Sequence, residues 1–93
     1  MKTINWSRAS IVDLTAIRHW LVTEASEPVA RRLLTQIRTQ ASQLARFPSI
    51  GSAIGQSERK LEVRGTSYVI VYRTSSERVE VLRVHHNRQD WRP

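Results

Sequence analysis

The sequence predicts an α+β domain: a short N-terminal strand, an antiparallel helix hairpin, then three antiparallel strands forming a small sheet covered by the helices. Three observations carry this expectation. Between Ser7 and Phe47 apolar residues recur every three or four positions, the spacing of one-sided helices. From Arg59 onward the period drops to two, the spacing of strands. Between the two regimes lies PSIGSAIGQS, residues 48–57, which holds two of the three glycines and has no period.

Residues 2–6, KTINW, are too short for a helix and end at Ser7, a good N-cap, so they read as the first strand. A helix follows in which Ile11, Leu14, Ile17 and Leu21 form the stripe expected to face inward. TEASEP interrupts it, and Pro28 suits the first turn of a second helix, where its missing N–H costs nothing. Val29, Leu33, Leu34, Ile37, Ala41 and Leu44 form the second stripe, with Arg31, Arg32, Arg38 and Arg46 off it. Phe47-Pro48 is the expected stop, and the short link predicts an antiparallel hairpin. The loop 48–57 is expected to have some freedom to move. RKLEVR, a Gly65-Thr66 turn, SYVIVYRT, a turn at SSER and VEVLRVHH then give the three strands. The middle one alternates Tyr68, Ile70 and Tyr72 with Val69 and Val71, so it is expected to be covered on both faces. The helices supply one cover, and a C-terminal tail with Trp91 or a bound partner supplies the other.

At 93 residues and 10.8 kDa the chain has room for one domain, residues 1–93, with a single modest core. Zero cysteines exclude a disulfide framework and thiolate metal sites. No apolar run approaches a membrane span, and MKTINWSRAS lacks the apolar stretch of a signal peptide, so a soluble, cytoplasmic protein is expected. Fifteen Lys and Arg against eight Asp and Glu give a net charge of +7, and thirteen of those bases are Arg. Arg presents a rigid fork that matches phosphate and carboxylate, so the expected partner is anionic: nucleic acid or an acidic protein segment.

The candidates for chemistry cluster near the end, in VHHNRQDWR. Neighbouring residues of a strand point to opposite faces, so His85 and His86 do not share an ion easily; with no HExxH helix, no metal site is expected. A histidine with Arg64, Arg73, Arg83 or Arg88 has the chemistry of metal-free phosphodiester cleavage, a proton donor beside phosphate-binding cations. The same residues equally suit a solvated, hydrogen-bonded strand end. Trp6, Trp20, Trp91, Tyr68 and Tyr72 read as core or rim packing, and Glu58, Glu62 and Asp90 as partners in surface ion pairs. GSAIG has neither the dinucleotide nor the Walker spacing, and no cofactor is expected.

The order of elements, with ARFPSIG ending the second helix, SYVIVYR in the third strand and VEVLRVHHNRQDW at the end, resembles the RelE/ParE superfamily of toxins from bacterial type II toxin–antitoxin modules. The resemblance covers nearly the whole chain. It implies a growth-inhibiting toxin neutralised by a cognate, ParD-like antitoxin, with operator DNA reached only through the antitoxin complex and no membrane partner. RelE-like members cut mRNA on the ribosome and carry an Arg in a YRLVY-like strand; here that position is Val69. ParE-like members, which poison DNA gyrase, have a similar SYVIVYR strand and an IxRVLHxxxD-like run close to VLRVHHNRQD. The resemblance therefore favours the gyrase-directed branch, with no catalytic residue and with His85, His86, Arg88 and Trp91 as the target-binding surface. The alternative is a ribosome-dependent endoribonuclease using His86 with Arg73, Arg83 and Arg88. A third reading is an inactive relative that only binds antitoxin. The antitoxin is expected on the basic helix faces around Arg31 and Arg38 and along an exposed sheet edge.

Overall fold

The computed structural model of the chain describes residues 1–87. Its elements are β1 (Thr3–Trp6), α1 (Arg8–Glu24), α2 (Glu27–Gln43), β2 (Ser52–Ala53), β3 (Glu58–Glu62), β4 (Tyr68–Thr74) and β5 (Arg78–His86). The strands form one five-stranded sheet in the order β1-β5-β4-β3-β2. β1 runs parallel to β5 and every other pair is antiparallel, so the sheet is mixed and larger than the three strands predicted. The fifth strand is β2, a two-residue piece inside the predicted loop. Among the described residues no helix is long and apolar enough to cross a membrane.

Both helices start on serine caps. Ser7 has extended backbone and its Oγ accepts the Ser10 N–H at 3.0 Å, while Ser26 Oγ accepts the Val29 N–H at 3.3 Å, with Pro28 in the first turn. The second helix ends at Gln43, earlier than the Phe47-Pro48 stop. Leu44, Ala45 and Arg46 donate their N–H groups to carbonyls three residues back, which tightens the chain out of the α-helix before the proline is reached.

The core lies between the helices and one sheet face. Leu34, Ile37, Ala41 and Leu44 of α2 meet Tyr68, Ile70 and Tyr72 of β4, Val79, Val81 and Val84 of β5, and Val63. β4 is buried on both faces, as its two-sided pattern requires. The cover proposed from Trp91 lies outside the described residues.

The α1 stripe differs from the expected one. Ile11 is 52% exposed, and the inward line runs through Ser10, Leu14, Ile17 and Leu21. Polar contacts set this rotation. β1 pairs with β5 only from Arg78 to Val81, so the rest of β5 has a free edge. α1 closes that edge: Ser7 Oγ donates to the Leu82 carbonyl at 2.9 Å, and the Asp13 carboxylate accepts the Val84 N–H at 2.9 Å. Asp13 also takes a two-pronged contact from Arg83, at 2.8 and 2.9 Å, which pushes the Arg83 guanidinium pKa up. With Asp13 and Ser10 turned to the sheet, Ile11 points away from it.

The loop 48–57 is pinned. Tyr72 Oη accepts the Gly51 N–H at 2.9 Å and donates to the Pro48 carbonyl at 2.8 Å, and Arg59 donates to the Gly51 carbonyl at 2.7 Å. A Cβ on Gly51 would lie 2.6 Å from both Tyr72 Oη and the Lys60 carbonyl, so only glycine fits there. Gly65, at φ +80°, makes the β3–β4 turn.

Asp13→Ala should destabilise the fold by about 2 kcal/mol, since it strands the Val84 N–H as well as losing the Arg83 pair. In a thermal melt that is a fall of roughly 8–16 °C; an unchanged Tm would show that α1 is held by packing alone. Burial pushes the Tyr72 hydroxyl above its ordinary value near 10, with the Gly51 amide and Arg59 charge opposing, and burial raises Tyr68 likewise. The folded state thus holds these protons more tightly than the unfolded one, so stability falls as pH rises beyond about 10. Denaturant titrations across that range should show the fall, and Tyr72→Phe should reduce its slope.

Candidate functional surface

The C-terminal half of β5 leads into the VHHNRQDWR segment, and its pairing with β4 determines what each side chain can reach. Val69 stands opposite His85, Ile70 opposite Val84, and Tyr68 opposite His86. Since Tyr68 and Ile70 belong to the helix-facing core, His86 lies on the helix side, and Val69 and His85 lie on the other face.

His86 is half-buried, edge-on to the Tyr68 ring at a centroid distance of 5.6 Å. Together with Tyr68 it forms the floor of an open groove walled by Ala16, Ile17 and Trp20 of α1. His85 is 5% exposed, and its Nδ1 lies 3.0 Å from the His86 carbonyl. The two histidines assigned to target binding thus point away from each other, and only His86 reaches an open surface. Arg88 and Trp91, the other two residues of that set, lie outside the described residues.

Of the alternative catalytic set, Arg88 lies outside the described residues, and His86, Arg73 and Arg83 have different surroundings. Arg73 is on the face opposite His86, ion-paired with Glu80 at 2.9 Å. Arg83 is held by Asp13 at the β5 edge. Val69, at the position of the ribonuclease arginine, is 4% exposed and faces His85 rather than His86. A bulge between Val71 and Tyr72 shifts the β5 register, which no residue pattern announced. Among the described residues no cluster of three or more His, Asp and Glu is placed to hold a metal ion.

Arg31 and Arg38 are exposed on the outer face of α2, and among the described residues they take part in no ion pair. The pairs that do form use Glu27 with Arg18, Glu80 with Arg73 and Asp13 with Arg83. Among the described residues they do not use Glu58, whose carboxylate accepts the Ser57 hydroxyl, or Glu62; Asp90 lies outside the described residues.

Sequence reasoning missed an apolar surface on α1. Trp20, expected to be packed, is 57% exposed, and Val12 and Ile11 are 60% and 52% exposed. Val12, Ala16 and Trp20 are four apart and form one stripe beside the His86 groove. The signal was present: α1 is apolar around most of its circumference, more than one buried face requires.

The sequence matches the ParE toxin family of type II toxin–antitoxin systems, parDE, over residues 4–91. It is similar to two curated relatives from Caulobacter vibrioides. Toxin RelE3 is 32% identical over 89 residues, 94% of this chain and 96% of the relative. Toxin RelE2 is 31% identical over 86 residues, 92% of this chain and 96% of the relative. A solved structure from the chromosomal ParDE system of P. aeruginosa shares the fold, with a TM-score of 0.82 over 92% of this chain and 96% of that one at 20% identity. The chain, with its helix hairpin over a five-stranded sheet and its match along almost all of its length, belongs to the ParE toxin family of type II toxin–antitoxin systems, within the RelE/ParE superfamily.

Proposed function

We propose that this toxin arrests growth by binding and poisoning DNA gyrase, and that it does so without catalysis. The observation that supports this reading is the β4–β5 register. Metal-free RNA cleavage needs a proton-transferring group and phosphate-binding cations around one reacting centre. Here Arg73 is paired with Glu80 on the sheet face opposite His86, Arg83 is held by the Asp13 carboxylate, and Val69 is a buried aliphatic side chain. The gyrase target itself is what the ParE-like resemblance implies. On this reading His86, with Arg88 and Trp91, contributes binding surface. The ribonuclease reading, with His86, Arg73, Arg83 and Arg88 as the working set, is favoured by the RelE names of the two Caulobacter relatives.

The antitoxin reading gains a specific surface. Exposed aromatic and aliphatic side chains grouped on one helix face are the usual anchors of a protein partner. Val12, Ala16 and Trp20 with the His86 groove would take the apolar face of a ParD-like antitoxin, and the basic face around Arg31 and Arg38 would meet its acidic residues.

In a supercoiling assay with purified gyrase, relaxed plasmid and ATP, the toxin should stop supercoiling or cause cleaved DNA to accumulate, and antitoxin should reverse the effect. Untouched gyrase together with site-specific mRNA cleavage after induction would replace this reading with the ribonuclease one. His86→Ala separates the two independently: growth arrest should persist in the variant if no proton transfer is involved, and vanish with an intact fold if His86 is a catalytic acid or base. Trp20→Ala should weaken antitoxin binding by about 2 kcal/mol, roughly 30-fold. Calorimetry showing unchanged affinity would move the antitoxin off α1.

A further inference from the structure

From Pro28 to Ser57 the chain contains Arg31, Arg32, Arg38 and Arg46 and no acidic residue. The nearest acid, Glu27 at the start of α2, is already paired with Arg18 at 2.7 Å. Arg31, Thr35, Arg38 and Ser42 follow at steps of four, three and four, so they share one face of α2, and all four are exposed. Arg46 follows past the helix end, beside an open depression lined by two further bases, Lys2 and Arg78, and one acid, Glu77. At about 1.5 Å per residue the line from Arg31 to Arg46 is roughly 20 Å long.

We propose that this strip docks the phosphate backbone of a nucleic acid, with Arg31, Arg38 and Arg46 as the phosphate contacts. Three features point to a polyphosphate. Among the described residues Arg31, Arg38 and Arg46 form no ion pair, so none between those residues has to be broken. The residues between them carry hydroxyls, which with Arg are the usual partners of phosphate oxygens. Among the described residues no large apolar side chain is exposed between Arg31 and Arg46; exposed apolar residues lie on α1 and, past the end of the strip, at Phe47 and Ile50. A strip of this length runs past roughly six phosphates of one duplex strand, enough to engage all three arginines. The contact reads charge and not sequence. If the antitoxin covers the same face, as in the reading above, it and the nucleic acid exclude one another; the binding itself depends on neither that reading nor gyrase.

The test is fluorescence anisotropy of the full chain, free of antitoxin, on a labelled random DNA duplex and a labelled single-stranded RNA across a salt series. Binding to the duplex should weaken with a log–log salt slope of about −3, since each neutralised phosphate contributes about 0.9. The triple variant Arg31→Gln, Arg38→Gln, Arg46→Gln should lose at least about 30-fold in affinity at low salt and flatten that slope. A triple with the same charge loss elsewhere, Arg8→Gln, Lys60→Gln, Arg64→Gln, should stay within about threefold of the parent. Equal losses in the two triples, or no salt-dependent binding by the parent chain, would overturn the proposal. RNA held by the same three arginines would support it and show that the backbone is recognised irrespective of the sugar. Thermal melts check that each triple is folded, and Arg38→Gln alone, expected to lose several-fold, keeps the test open if the triple is unstable.

Discussion

The architecture depends on how one strand edge is closed. β5 is the longest strand, and its parallel partner β1 covers only the first part of it. The remaining edge would leave a carbonyl and an N–H facing solvent or an intruding strand. Ser7 and Asp13, six residues apart across the start of α1, take these two groups and so continue the edge pairing with side chains. A carboxylate that accepts both a backbone N–H and an Arg fork has little freedom to shift. It therefore fixes the rotation of α1 about its own axis.

That rotation decides which parts of the helix are available to partners. With Ser10, Leu14, Ile17 and Leu21 inward, the stripe through Val12, Ala16 and Trp20 is left outside, next to the one histidine that reaches open surface. An apolar surface of this kind and a neighbouring basic one are complementary in use. The first offers desolvation and shape; the second offers long-range attraction to an anion, and little affinity in salt. The two lie on different helices because the acids are unevenly placed. Asp13, Glu27 and Glu80 neutralise Arg83, Arg18 and Arg73, while among the described residues the arginines along α2 form no ion pair.

The same uneven pairing bears on mechanism. Arg73 and Arg83 are bases that composition alone would offer to a phosphodiester, and both are engaged by carboxylates, Arg73 by Glu80 on the sheet face opposite His86 and Arg83 by Asp13 of α1. Val69 presses against the sheet opposite His85, which is itself buried. A side chain placed there supports β4–β5 packing, and introducing a charge would carry a desolvation cost. The loop bearing Phe47 and Ile50 is likewise held, by Tyr72 and Arg59, so these two exposed apolar residues are presented by rigid backbone.

Local pattern was enough for the element order, the serine and proline signals at the helix starts, the Gly65 turn and the two-sided burial of β4, because each rests on residues close in sequence. It was also enough for the family resemblance, since a run such as SYVIVYR keeps its order whatever the sheet does around it. It did not reveal β2, whose two residues become a strand only by pairing with Arg59 and Lys60, or the parallel placement of β1, which depends on where the chain returns some seventy residues later. That α1 carries more apolar surface than one face buries was legible, but which residues stay outside was not: helical period defines a stripe, and the partner that a helix meets selects which stripe is buried. The pairing of Val69 with His85, and the placing of Arg73 on the face opposite His86, follow from strand register and one bulge, and these exist only once the sheet is assembled.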